Sequence, residues 1–74
     1  MSNPTIANRI RCWREVAQIT RAELASRVGV SGAAVSQWES GESNPTAERL
    51  ERVAESLGVS MAEFYGPLPA KSAA

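Results

Sequence analysis

Apolar residues in this 74-residue chain return every three or four positions, and nowhere do they alternate as a strand would. Ile6, Ile10, Trp13 and Ala17 form the first such series. Asn3 suits a cap and Pro4 a first helical position, so a helix is expected from Pro4 or Thr5 to about Ala17. Thr20 and Glu23 make a T-x-x-E capping box, which starts a second helix near Arg21; it should end near Val28, just before Gly29. Ser31 can cap a third, running to about Ser40 and stopping at Gly41. The segment Gly41–Pro45 reads as a loop. Thr46 then caps a fourth helix whose stripe is Leu50, Val53, Ala54 and Leu57, ended by Gly58. Ser60 and Glu63 repeat the capping box and open a short fifth helix through Tyr65, stopped by Gly66, Pro67 and Pro69. The pattern predicts an all-α, compact five-helix domain over residues 1–66, followed by a flexible tail over 67–74.

Helices two and three are the most informative pair. Leu24, Ala25, Val28, Val30, Val35 and Trp38 are spaced so that two short helices turn their apolar sides together, with Gly29 where the chain reverses. The outward positions of the third helix are Gly32, Ala33, Ser36 and Gln37, all small or polar. That face is left free to meet something.

Composition narrows what it could meet. Eight basic and eight acidic residues cancel, but unevenly: residues 1–30 hold Arg9, Arg11, Arg14, Arg21 and Arg27 against Glu15 and Glu23, a balance of +3, and the remainder carries −3. One side of the fold can therefore be positive. The chain contains no His and no Asp, which removes the usual general bases and the commonest metal ligand, so an enzyme, a metal and a cofactor are all unexpected. Cys12 stands alone, so no internal disulfide can form; this suits a reducing cytoplasm and a packing role. Neither an apolar signal segment nor a run of membrane-spanning length is present.

The segments RIRCWRE, ITRAELASRVGVS, VSQWESG, NPT and LERVAESLGVSMAEF, taken in that order and spacing, resemble the Cro/repressor type of helix-turn-helix protein, also called the XRE family, from Ile6 to Phe64. The resemblance implies five helices, sequence-specific binding of double-stranded DNA and transcriptional regulation as a homodimer on a palindromic operator. It places the third helix in the major groove, which makes Gly32, Ala33, Ser36 and Gln37 the base-reading candidates. Gln37 leads them, because its amide can donate to and accept from the edge of adenine together. Ala33 either touches a thymine methyl or simply faces solvent. Ser36 can bond a base, a phosphate, or neither.

Phosphate contacts would come from the start of helix two and the loop after helix three, where Thr20, Arg21, Ser40, Asn44 and Thr46 stand. Thr20 and Thr46 have a second explanation as helix caps. Arg9, Arg11 and Arg27 read as a general positive field. Arg14 and Glu39 match positions paired in the family and are expected to tie helix one to the reading helix. Trp13 and Trp38 are assigned to packing. Met61, Phe64, Tyr65 and Leu68 offer a two-fold dimer surface, with Phe64 divided between that surface and the core.

Three positions depart from the family pattern. Arg21 replaces a Gln, Gly32 removes the most deeply inserted side chain, and Glu42 puts a carboxylate where a Lys is common. These departures keep open an alternative, a protein-interaction module such as an antitoxin or accessory subunit. No effector domain fits in this length, so no small-molecule ligand is expected.

Overall fold

A computed structural model describes residues 5–69, and in them the chain forms α1 (Ile6–Ala17), α2 (Arg21–Val28), α3 (Gly32–Ser40), α4 (Ala47–Ser56) and α5 (Met61–Tyr65). All five open on a hydroxyl. Thr5, Thr20, Ser31, Thr46 and Ser60 each accept a bond from the backbone N–H three residues on, satisfying a donor that the first turn leaves without a partner. At Thr20 and Ser60 the glutamate three residues later returns a bond to the cap's own N–H, so both expected capping boxes are present. The first helix departs from expectation: Thr5 is its cap, while Asn3 and Pro4 lie outside the described residues.

Gly29 and Gly41 end α2 and α3 with φ near 87° and 84°, the left-handed conformation that glycine enters without a Cβ penalty. Helix α1 ends the same way but on Gln18, at φ 60°. A left-handed non-glycine residue costs about 1–2 kcal/mol, offset here because the Gln18 and Ile19 N–H groups recover the Glu15 and Arg14 carbonyls.

The helices enclose a single core. Ile10, Leu24, Val35, Val53 and Phe64, one from each helix, are fully buried, and Ile19, Ala25, Val28, Trp38, Leu50 and Ala54 complete it. Helix α2 packs on α3 and α4, α1 packs on α3, and α5 bridges α1 and α4. Ala25, the small residue of α2, is buried in that core. Phe64 has no exposed surface. It plugs the junction of α4 and α5 and is not available to a partner chain, which corrects its place in the two-fold surface.

Candidate nucleic-acid interface

Helix α3 separates its residues cleanly by side. Val35, Trp38 and Glu39 face inward and are buried, while Gly32, Ala33, Ser36 and Gln37 are all exposed. Nothing among the described residues covers this outer face, and the Gln37 amide makes no hydrogen bond to them. Gly32 is the first helical residue, and a Cβ built there meets no atom within 4 Å. The face is therefore open, short in polar groups and free to accept larger ones.

What fixes α3 is a carboxylate below that face. Glu39, with 3% of its side chain exposed, accepts from Arg14 Nε at 2.7 Å and from Arg14 NH2 at 3.2 Å. Arg14 also donates to the Ile19 carbonyl at 2.9 Å, so one guanidinium joins α1, the α1–α2 link and α3. The expected ion pair is present. Its hydrogen bond holds the Arg14 pKa above the ordinary arginine value, against the opposing effect of burial.

Glu39 has a second arginine. Arg21 Nε donates to Glu39 Oε1 at 3.0 Å, although about half of the Arg21 side chain remains exposed. Spacing gave no warning of this contact, because residues 21 and 39 lie on different helices and Arg21 replaces a neutral residue of the family pattern. Beside Arg21 and Glu39 runs a cleft of about 410 Å³, lined also by Arg11, Ser36, Gln37, Ser40 and Glu42. A second, of about 710 Å³, lies between the start of α1 and the α3–α4 loop and includes Asn8, Arg11, Ser40 and Asn44. The structure thus brings Arg21, Ser40 and Asn44 to one side, beside the open face of α3.

The remaining candidates divide. Thr20 and Thr46 are helix caps with their oxygens already accepting from Glu23 and Arg49, so the capping explanation holds for both. The Ser40 hydroxyl donates to the Gln37 carbonyl and accepts from the Glu42 N–H, closing the end of α3. Two of the three arginines assigned to a general field have definite partners elsewhere. Arg9 NH1 donates to the carbonyls of Phe64 at 2.8 Å and Gly66 at 2.6 Å, and Arg27 to that of Ser56 at 3.1 Å. Arg9 also stands 5.9 Å from the Tyr65 ring centre, and Trp13 Nε1 donates to the same Phe64 carbonyl. The segment after α5 is thereby clamped to α1, where the buried Cys12 thiol meets the Pro69 carbonyl at 3.9 Å. Met61 and Leu68 are half-buried and Tyr65 is exposed.

A helix-turn-helix family model matches residues 10–64. Repressor protein C2 of Salmonella phage P22 is 39% identical over 57 residues, 77% of this chain and 26% of that protein. The cryptic phage CTXphi transcriptional repressor RstR of Vibrio cholerae is 34% identical over 61 residues, 82% of this chain and 54% of its own length. This chain thus spans about a quarter of the first relative and about half of the second. Among solved structures, the DNA-binding domain of the P22 C2 repressor in solution superposes with a TM-score of 0.84 at 36% identity, covering 93% of this chain and 92% of that one. A crystal structure of the P22 c2 repressor in complex with a synthetic operator superposes with a TM-score of 0.73 at 34% identity, covering 86% and 94%.

Proposed function

Because this chain belongs to the helix-turn-helix family, in its Cro/repressor or XRE type, we propose that it is a sequence-specific regulator of transcription that binds double-stranded DNA. Helix α3 enters the major groove, and Gln37 is the principal base reader. The observation that carries this reading is the outer face of α3. Its four candidate residues are exposed together, their inward neighbours are locked, and two arginines stand beside them. The relative solved with a synthetic operator has the same fold at 34% identity, which supports a duplex as the ligand. The named relatives are repressors, which supports regulation rather than catalysis.

A face this poor in donors binds weakly as one copy, because a single good bidentate base contact discriminates by only about 1–3 kcal/mol. Two copies on a palindromic site multiply their affinities. Tyr65, Met61 and Leu68 form the surface through which they meet, in the cytoplasm where the operator is. Selection of bound duplexes from a random library tests the proposal. A palindrome containing an adenine whose preference is lost in Gln37→Ala is expected, whereas Arg21→Ala should weaken all sequences alike. Recovery of no preferred duplex would reject the reading and favour the interaction module.

A further inference from the structure

The cleft beside α3 has a construction that a general positive surface lacks. Arg21 is held by Nε alone, and among the described residues both of its terminal amino groups are without a partner. Arg11, on α1, lines the same cleft and is bonded only through NH2, to Asn8 Oδ1 at 2.9 Å. Each guanidinium therefore has one corner tied and the others turned loose. Glu39 would repel an anion if it stood alone, but it is buried and shared by Arg14 and Arg21, so the trio carries a net single positive charge. The charged residues that line the cleft, Arg11 and Arg21 against Glu39 and Glu42, cancel, and Arg14 behind Glu39 brings the surroundings to plus one.

We propose that Arg11 and Arg21 form the two sides of a seat for one backbone phosphate of the duplex, and that Glu39 is the positioning residue that fixes Arg21 there. The proposal rests on the reading of this chain as a duplex-binding protein and adds to it a ligand from α1. It replaces a diffuse role for Arg11 with a defined one. A guanidinium anchored at Nε loses little further freedom when a phosphate oxygen arrives, and its planar fork can meet two oxygens at once. The phosphate so held lies beside Ser36 and Gln37, and this sets the depth to which α3 enters the groove.

The test is a salt series on binding to a duplex selected by the wild-type protein, with thermal melting of each variant as a check on folding. Arg11→Met and Arg21→Met should each weaken binding and lower the salt slope by about 0.9, the signature of one lost phosphate contact. Arg27→Met, which removes the same charge from the far end of α2, should leave the slope unchanged. An Arg11→Met slope equal to that of Arg27→Met would return Arg11 to the diffuse field and overturn the seat. Glu39→Gln removes a negative charge, so long-range attraction alone would tighten binding. Positioning requires the opposite, a loss of about tenfold, with little further loss when Arg21→Met is added. Tighter binding by Glu39→Gln overturns the role of Glu39. Arg21→Lys is safe for folding because the side chain is half exposed; it should keep the slope and still lose several-fold in affinity, since an ammonium has no fork. Unchanged affinity would remove the need for a fixed guanidinium. If the wild type itself selects no duplex, it is the function that fails, an outcome distinct from any of these.

Discussion

Helix α1 is joined to its two neighbours by different chemistry. Against α3 it sets a charge on a charge, Arg14 on the buried Glu39. Against α5 it sets a charge and an indole on neutral oxygens, Arg9 and Trp13 on the carbonyls of Phe64 and Gly66. Loss of Glu39 strands Arg14 in a place water hardly reaches, and loss of Arg14 leaves the buried Glu39 with only the half-exposed Arg21. At the second, loss of the donor leaves carbonyls at a part-buried edge. The first joint is therefore nearly all-or-none and the second is graded. Helix α3, whose outer face is open, is held by the stricter one.

Removing one side of the strict joint gives the largest expected effect. Glu39→Ala strands Arg14 and should cost about 3 kcal/mol, the lower end for a broken buried pair because Arg14 keeps the Ile19 carbonyl and some exposure. In a domain this small that is a large share of total stability. The comparison breaks if Arg14→Met and Glu39→Gln prove additive in denaturant melts, since a true pair must couple. Next comes the graded joint. Arg9→Met should cost about 2 kcal/mol, from hydrogen bonds to a charged donor. Amide exchange should quicken mainly in residues 64–69 and leave α3 protected. Uniform quickening across the domain would mean that the two joints act as one.

The strict joint was expected through the family resemblance and the graded one was not, for a physical reason. Arg14 and Glu39 are both side chains, so their letters record both halves of the bond. The partners of Arg9, Trp13 and Arg27 are backbone carbonyls, which every residue has and no letter marks. Helix limits were legible where a hydroxyl or a glycine stands, as at Thr20, Ser31, Gly29 and Gly41. They were harder to read at the start of α1, where Asn3 and Pro4 competed with Thr5, and at its end, where Gln18 does the work of a glycine. The open face of α3 followed from periodicity alone. The Arg21 bond to Glu39 did not, because it depends on how far two helices lie apart.

Gln18 offers a gain where the other changes lose. It ends α1 in the left-handed region, where glycine carries no Cβ penalty, so Gln18→Gly should raise stability by about 1 kcal/mol. The residue lies four positions beyond Arg14, and the relief should leave the coupling of Arg14 to Glu39 intact. A fall in melting temperature would mean that the Gln18 side chain contributes more than its backbone costs. A rise with weakened Arg14–Glu39 coupling would show that the strict joint depends on the rigidity of that turn.

The smallest expected effect concerns pH and separates the joints from the caps. The backbone N–H of Thr20 and then its hydroxyl draw the exposed Glu23 below the usual carboxylate range. A carboxylate with a depressed folded pKa contributes stability that is complete above its unfolded value, about 4.3, and that disappears as pH falls through the folded value. Glu23→Gln should therefore flatten the acid limb of the stability curve slightly and change nothing near neutrality. Arg14 is shifted upward, so its own titration removes no stability as pH falls and would matter only above the ordinary arginine range. The acid limb should thus report the start of α2 and stay silent about Arg14. If Glu23→Gln leaves that limb untouched, its slope originates outside the capping box of α2.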